Sequence, residues 1–324
     1  MKTRYYILAF ILCLRSAANL QAQLTNNELS YIRSRTISSA DSSQYLDRID
    51  YFDGLGRPVQ SVRKAFSPAG KDLVNLLEYD MAGREVQNWL SAESSLATGA
   101  SLAPDVFKAK AQTAYGDAKP YGYTLYEPSP LNRPLAQFGP GADWHNNGKA
   151  VKTAYGTNTS TAELSCAYYT VGNNTLVKSG DYAPNQLFVT KTTDEDGAAA
   201  YEFKNKQEQL LLSRRINGAA MHDTYYVYDD YGNLAYALTP EAASLLAENG
   251  AWADGNTVMA NLAYLYKYDH RNRCIAKKLP GADWTYYIYD KADRLIFSQD
   301  GERRAKGEWL FSIPDALGRP TVTG

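Results

Sequence analysis

Cysteine, histidine and any excess of one charge are scarce in this chain of 324 residues. It contains 3 Cys and 3 His, and its 34 basic residues nearly balance its 35 acidic ones. So few cysteines exclude a small fold held together by disulfides. The balanced charge removes a general electrostatic basis for binding nucleic acid or an anionic membrane surface.

Recognisable catalytic and metal-binding patterns are also missing. There is no phosphate-binding Gly-Lys-Ser/Thr loop and no Gly-x-Ser-x-Gly elbow. The three histidines, His145, His222 and His270, lie too far apart in sequence for a helical metal site. We therefore predict a protein that is not an enzyme, with no catalytic residues and no cofactor or metal.

Long hydrophobic runs are absent as well. The apolar run Tyr5 to Leu14 follows Lys2 and Arg4 and precedes a small, polar stretch, a pattern typical of a secretory signal peptide over residues 1–22. A retained anchor and a lipid-modified Cys13 are the alternatives, although the run is far shorter than the roughly 20 residues of a spanning helix. We predict export to the periplasm, the cell surface or the medium, with no transmembrane segment after cleavage. Cys166 and Cys274 then remain, either as one disulfide or as two free thiols.

Tyrosine is the abundant residue. The chain has 26 Tyr against 9 Phe and 5 Trp. Tyrosine suits half-buried strand positions, where the ring packs and the hydroxyl reaches water or a backbone partner. The composition therefore favours wide β-sheets over a compact helical core.

One short unit recurs through the chain: a strand ending in an aromatic, an Asp, three turn residues, an Arg and a second strand. In the last three copies, Arg273, Arg294 and Arg319 are 21 and 25 residues apart (294 − 273 and 319 − 294). This spacing matches one β-hairpin with its connection. The turn residues of all the clear copies are Asp53, Gly56 and Arg57; Asp80, Gly83 and Arg84; Asp229, Gly232 and Asn233; Asp269 and Arg273; Asp290 and Arg294; and Asp315, Gly318 and Arg319.

Weakened copies are expected at Tyr126-Glu127 with Asn132-Arg133, and around Lys204 to Glu208. In each unit the Asp can accept backbone amides and the Gly permits a left-handed residue. The Arg can reach the Asp of its own or a neighbouring unit. We predict a ladder of Asp-to-Arg contacts along the hairpins that determines register more than stability, since exposed ion pairs contribute only about 0 to 1 kcal/mol each. Pro314 replaces the aromatic of the last copy, so its strand should lie at an edge or be irregular.

Two short surface helices interrupt the strands. The first is predicted from Pro104 toward Tyr115, and the second from Thr239 through Leu245 and Leu246, about three turns long with its stop at Gly250. The pentapeptide PGADW occurs at Pro140 to Trp144 and again at Pro280 to Trp284, where it can form a turn that seats Trp at a strand start. The predicted regions are a signal peptide at 1–22, an irregular segment at 23–44, a β-rich region with degenerate units at 45–200, and a repeat region at 201–324 truncated at its C-terminal end.

The repeated strings YFDGLGR, YDMAGR, YDDYGN, YDHRNR, YDKADR and PDALGR resemble the YD-repeat, or RHS-repeat, family. With YFDGLGRPVQSV and the helix opening TPEAA, residues 45–324 are similar to the amino-terminal region of secreted RHS-repeat proteins typical of Bacteroidetes, which is often described as a domain of unknown function. The resemblance implies a mainly β fold, in which consecutive antiparallel hairpins wind into an open, partial β-shell. In related toxin proteins this shell encloses a carboxy-terminal cargo, and the core and cargo have no counterpart here.

Two functions follow as expectations. The first is a non-enzymatic secreted scaffold, the N-terminal part of a shell-forming protein in envelope or contact-dependent toxin delivery. Its partners would be further C-terminal repeats and a core, a partner chain at open strand edges, or a toxin cargo. The alternative is a surface module that binds carbohydrate or protein through exposed aromatics. Its candidate residues for glycan stacking are Trp144, Trp284, Tyr286 and Tyr287, for which core packing is the competing explanation.

Overall fold

The structure, a computed structural model, describes residues 29–38 and 44–324. The predicted signal peptide lies outside these residues, as do parts of the predicted irregular segment at 23–44. The chain divides into two compact units, with the boundary between Lys152 and Thr153. Both are built mainly from antiparallel strands, and the predicted fold class is confirmed.

The first unit is a series of hairpins with one helix packed on it. Its strands pair in the order β1-β2-β3-β4-β5-β7-β8-β9, and the short β6 pairs with the start of β4 beside β5. The elements are β1 (Ser30–Ile37), β2 (Tyr45–Phe52), β3 (Pro58–Arg63), β4 (Leu73–Tyr79), β5 (Glu85–Trp89), β6 (Ala92–Glu93), α1 (Pro104–Tyr115), β7 (Tyr121–Tyr126), β8 (Pro134–Phe138), α2 (Ala142–Asn146) and β9 (Ala150–Thr157).

Alternation along the strands builds the core of this unit. Val62, Val74 and Leu76 point to one face, which α1 covers with the fully buried Phe107 and Ala111. Helix α1 runs from Pro104 to Tyr115, as its sequence predicts, and the following Gly116 takes the left-handed conformation. Trp89 packs edge-on against Phe107, with ring centroids 6.3 Å apart.

Strand β1 corrects the prediction of an irregular segment at 23–44, at least for its described part. Ser30–Ile37 pairs with β2 along its whole length. All eight of its positions are exposed, including Ile32 and Ile37, so it has no buried face to give the usual alternation of a strand. The pairing is held instead by side chains of β2: Asp47 accepts hydrogen bonds from Arg35 at 2.7 and 2.9 Å and also bonds to Arg33.

The second unit carries a long hairpin series and a small separate sheet. Strands β12 to β16 and β18 to β23 pair consecutively, and β17 joins β11 in the small sheet β10-β11-β17. A 3₁₀ turn (Ala162–Leu164) precedes β10. The other elements are β10 (Ala167–Gly172), β11 (Thr175–Asp181), β12 (Phe188–Thr193), β13 (Ala199–Lys204), β14 (Leu210–Asn217), β15 (Ala220–Tyr228), β16 (Leu234–Leu238), α3 (Pro240–Leu245), β17 (Gly250–Ala253), α4 (Thr257–Leu262), β18 (Ala263–Tyr268), β19 (Cys274–Lys278), β20 (Trp284–Tyr289), β21 (Leu295–Gln299), α5 (Gly301–Lys306), β22 (Leu310–Pro314) and β23 (Pro320–Thr323).

The small sheet and the hairpin series share one core. Leu176 of β11 packs in the same buried cluster as Leu212, Leu238 and Leu265 of the main strands. This shared core explains why the boundary between the compact units falls at 152/153. The predicted boundary follows the quality of the repeats and falls at 200/201.

A buried arginine attaches the segment before β10 to the main strands. The Arg214 guanidinium bonds both carboxylate oxygens of Asp223 at 2.7 Å, and its Nη1 donates to the carbonyls of Ala162, Glu163 and Ser165 at 2.8 to 3.0 Å. One side chain therefore crosslinks a hairpin and an irregular segment about fifty positions earlier in the chain.

The helices depart from the sequence prediction in number and length. Both predicted helices are present, but α3 ends at Leu245 because Gly250–Ala253 pairs with β11 instead of closing the helix. Leu246 is buried, whereas Leu245, expected on the same apolar face, is exposed. The described residues contain three further helices, α2, α4 and α5. The sequence contains capping residues for two of them: Asn256 is the N-cap of α4, and Asp300 and Gly307 are the N-cap and C-cap of α5.

Candidate functional site

The repeated turns share one hydrogen-bond arrangement. In five of them the Asp Oδ1 accepts the amides two and four residues later at 2.8 to 3.0 Å, and Oδ2 accepts the Arg Nε at 2.7 to 2.8 Å. Each Asp amide also donates to the Arg carbonyl at 2.8 to 3.0 Å. The five turns are Asp53 to Arg57, Asp80 to Arg84, Asp269 to Arg273, Asp290 to Arg294 and Asp315 to Arg319. The predicted pairing of each Arg with its own Asp is present in all of them.

The residue before each Arg takes the left-handed conformation. Where it is glycine, φ is +77° at Gly56, +79° at Gly83 and +83° at Gly318. Asn272 and Asp293 hold the same place at +58° and +61°. Asn and Asp tolerate this region better than other side chains. The unit therefore survives loss of its glycine in the Asp269 and Asp290 turns.

Successive turns are joined by what we call a rung: the Arg of one turn together with the Tyr that precedes the Asp of the next. The guanidinium lies over that ring, with centroid distances of 4.5 Å for Arg57 and Tyr79, 4.8 Å for Arg84 and Tyr126, and 5.0 Å for Arg273 and Tyr289. The same Tyr hydroxyl donates back to the carbonyl of the residue after the Arg, at 2.7, 3.1 and 2.8 Å.

The Arg also reaches the next turn directly. Its Nη1 donates to the backbone carbonyl of the next turn's acid, at 3.1 Å from Arg84 to Glu127, 3.3 Å from Arg273 to Asp290 and 2.9 Å from Arg294 to Asp315. The aromatic and the Arg of the repeat therefore serve different turns. Each hairpin is completed by the one that follows it.

Two departures from the pattern behave differently. Asn233 still bonds Asp229 through its amide, at 3.1 Å, but it is too short to lie over Tyr268 as an arginine would. Pro314 ends β22, where the register shifts by one residue. The same shift occurs before Tyr289 and Tyr268, so it belongs to the unit rather than to the proline. Strand β22 lies between β21 and β23 and not at an edge.

Degenerate turns are more numerous than the sequence suggested. The stretched turn from Glu127 to Arg133 closes with carboxylate bonds of 2.7 and 2.8 Å, as expected. The turn expected around Lys204 to Glu208 runs from Asn205 to Gln209, and its Asn Oδ1 accepts both amides at 2.9 and 3.0 Å. Sequence reasoning missed the turn from Asp194 to Ala198, although its Asp and Gly197 were visible.

The electrostatics of the turns are those of satisfied carboxylates. The side-chain hydrogen bond from Arg273 is the main cause that lowers the pKa of Asp269 to about 2. In Asp53, Asp80, Asp290 and Asp315 the hydrogen bond from the Arg backbone amide comes first, and their pKa values are also lowered. A carboxylate held in this way is a poor general base at neutral pH. Its role is to hold the turn through hydrogen bonds.

The described residues hold no group of side chains assembled for thiol or metal chemistry. Cys166 and Cys274 are free thiols, and burial raises the pKa of Cys166 to about 12. Among the described residues, no three His, Cys, Asp or Glu side chains come together as a potential metal site. Within that same part of the chain, no helix is both long and apolar enough to span a membrane.

Of the four aromatics proposed for glycan stacking, Trp144 lies in α2 and the other three lie in β20. Trp144 lies in α2 with the Lys149 ammonium 5.7 Å from its ring centroid. In β20, Lys267 lies 4.7 Å from the Trp284 ring, Arg304 lies 5.0 Å from Tyr286 and Lys277 lies 5.7 Å from Tyr287. Each ring thus already has a cation against it. Their role in sugar binding stays a prediction.

The fold and the turns define a β-hairpin repeat protein. A family model described as a domain of unknown function, DUF6443, matches residues 25–157. No curated protein matches the chain.

Solved structures extend the similarity to most of the chain. A crystal structure of TcdB2-TccC3 has a TM-score of 0.58 at 13% identity, covering 93% of this chain and 14% of that one. TcdB2-TccC3-Cdc42 has a TM-score of 0.56 at 14% identity, covering 93% and 14%. The Photorhabdus luminescens Tc holotoxin pore with a TccC3 mutation has a TM-score of 0.53 at 12% identity, covering 91% and 13%. At such identities the similarity shows the fold alone, and this chain spans about 14% of the length of the first. Together with the repeats and the domain match, it supports an RHS-like relationship.

Proposed function

We propose that this chain is a non-enzymatic, exported scaffold and the N-terminal part of a larger shell-forming RHS-type protein in envelope or contact-dependent toxin delivery. The observation that carries the proposal is the rung. Because the Tyr of each hairpin covers the Arg of the hairpin before it, the structure is extended one hairpin at a time. Nearest-neighbour contacts of this kind are typical of repeat proteins that build long surfaces.

The turns support a scaffold rather than an enzyme. In each carboxylate one oxygen accepts two backbone amides of the turn and the other accepts the guanidinium. No acceptor position is therefore reserved for a substrate. The aromatic of the unit is likewise committed to the preceding hairpin. The repeated residues therefore have structural duties that explain why they recur.

A role in a larger assembly is supported by the relatives in structure. Tc holotoxin and TcdB2-TccC3 chains contain this arrangement of strands within proteins about seven times longer, since the present chain covers 13 to 14% of them. Export is supported by the basic and apolar start of the sequence. We infer that toxin delivery is the setting, with further repeats, a core and a cargo as partners.

The experiment is to isolate the protein from its native source and determine its mass and termini. We expect an N-terminus at Gln23, and a gene whose product continues with further aromatic-Asp-Arg units and a variable C-terminal segment. In that product the C-terminal segment should resist protease until the repeats are denatured. A secreted product of residues 23–324 alone that unfolds as a cooperative monomer would contradict the proposal.

A further inference from the structure

A second feature of the hairpin series is an aromatic slot on the face that points away from the core. In β15, β16 and β18 the register places Tyr226 opposite Ala237, and Ala237 opposite Tyr264. Neighbouring positions Tyr225, Leu238 and Leu265 are buried in the core. Because side chains alternate along a strand, the row of Tyr226, Ala237 and Tyr264 faces the other way.

The row lines an open pocket. Its volume is about 400 Å³, and Ala237 forms its floor between the two tyrosines. Tyr266 and Thr224 line the same space. In the strand register the small side chain of Ala237 lies between Tyr226 and Tyr264. A larger residue at position 237 would fill the slot.

The spacing of the walls selects the thickness of a ligand. Tyr226 and Tyr264 stand on strands two apart, which places their Cα positions about 9.5 Å from each other. A flat aromatic ring sandwiched at ordinary contact distance needs only about 7 to 8 Å between the two walls. A puckered ring with axial substituents is thicker, and strands two apart leave room for it.

The lining selects the polarity of a ligand. None of the residues around the cavity is charged, which disfavours phosphates, carboxylates and amines. Tyrosine and threonine hydroxyls supply donors and acceptors beside apolar ring faces. We propose that this slot binds a neutral pyranose ring of a glycan, held between Tyr226 and Tyr264 over Ala237.

This site differs from the aromatics that the sequence singled out. Trp284 and Tyr286 have cations over their rings, whereas no cation lies over Tyr226 or Tyr264 in the described residues. The slot also depends on register, since Tyr226 and Tyr264 are far apart in sequence. It does not depend on the scaffold role, because none of the Arg and Tyr residues that form the rungs lines the slot.

The test uses the chain as it exists, with neutral methyl glycosides of glucose, galactose, mannose and N-acetylglucosamine. Saturation-transfer difference NMR should show at least one glycoside in contact with the protein. Tyr264→Ala removes an exposed wall and should weaken binding about two- to tenfold, the range expected for one aromatic contact. Ala237→Leu places a branched side chain between the two tyrosines and should abolish binding.

Tyr168→Ala is the matched control, because Tyr264 and Tyr168 are 36% and 39% exposed strand tyrosines and Tyr168 does not line the slot. It should leave binding unchanged, and circular dichroism should show all variants folded. Failure of every glycoside to bind would overturn the proposal. So would binding that survives both Tyr264→Ala and Ala237→Leu, or a slot that takes proline-rich peptides and no sugar.

Discussion

Two kinds of Asp-to-Arg pair occur in this chain, one at the hairpin turns and one inside the second unit. Their distances are the same: Arg214 reaches Asp223 at 2.7 Å, and Arg319 reaches Asp315 at 2.7 Å. Their surroundings are not, since the Arg214 side chain is 5% exposed and that of Arg319 is 73% exposed.

The comparison shows that distance does not rank ion pairs by their effect on stability. At the surface, water screens the charges and competes for their hydrogen bonds. In the interior, an arginine without its partner leaves an uncompensated charge, and a carboxylate without its arginine does the same. Arg214 also holds three backbone carbonyls, whereas Arg319 has no next tyrosine over it among the described residues.

The largest effect is expected from Arg214→Met. The substitution keeps much of the side-chain volume but leaves Asp223 and three carbonyls without their donor. We expect the free energy of unfolding to fall by about 3 kcal/mol or more, measured by urea denaturation. Arg215→Met, at the exposed position next along β14, should change it by less than about 0.5 kcal/mol. Equal losses in the two variants would mean that the bonds from Arg214 to Asp223 and the three carbonyls are not what stabilises this region.

A smaller effect separates an arginine that has the next tyrosine over it from one that has no such tyrosine. Arg84 lies over Tyr126 and is 20% exposed, whereas Arg319 is 73% exposed. Arg84→Ala should cost about 1 kcal/mol through the lost ring contact and hydrogen bonds, and Arg319→Ala less than about 0.5 kcal/mol. Thermal unfolding of the two variants measures both. If Arg319→Ala is the more damaging, the Tyr-over-Arg contact is not what stabilises a rung.

A gain is expected where the pattern is broken. Asn233→Arg should place a guanidinium over Tyr268 and strengthen the bond to Asp229, raising the free energy of unfolding by about 0.5 kcal/mol. Asn233→Gln adds length without charge and serves as the control. A loss of stability in Asn233→Arg, with no loss in Asn233→Gln, would mean that this turn cannot accommodate the arginine.

The last effect appears only in acid. Arg273 holds the pKa of Asp269 at about 2, below the ordinary value of 3.8. A depressed folded-state pKa means that the stabilisation is complete above the unfolded value and is lost as the pH falls from about 4 through 2. Carboxyl carbon NMR should find this low midpoint, and Arg273→Gln should move it toward the ordinary value. An unchanged midpoint in the variant would assign the shift to the backbone amides alone.

Local rules made the turns predictable from sequence. An Asp that accepts amides two and four residues later, a residue tolerant of positive φ and an Arg within reach are all contained in five positions. The turn from Asp290 to Arg294 forms with Asp293 in place of glycine because Asp also tolerates positive φ. The sequence also predicted α1, whose Pro104 and Gly116 mark its two ends.

Identical residues adopt different structures when their neighbours differ. The first PGADW copy forms α2, because Lys119 accepts the Gly141 amide and Asp117 accepts the Ala142 amide. In the second copy the Gly281 amide donates to Ala260, and Trp284 begins β20, as the sequence predicted for such a turn. Strand β1 was missed because its own residues are exposed and its structure comes from pairing with β2, to which Asp47 adds bonds with Arg33 and Arg35.

The sequence by itself determined the class of fold and the repeating turn, because the forces that form them act over a few residues. Only the tertiary structure decided which hairpin completes which. It showed that Tyr serves the preceding Arg, that Arg214 joins distant segments, and that Tyr226, Ala237 and Tyr264 share one row. These relations depend on strand register, and register is set by pairing between segments whose separation no local pattern encodes.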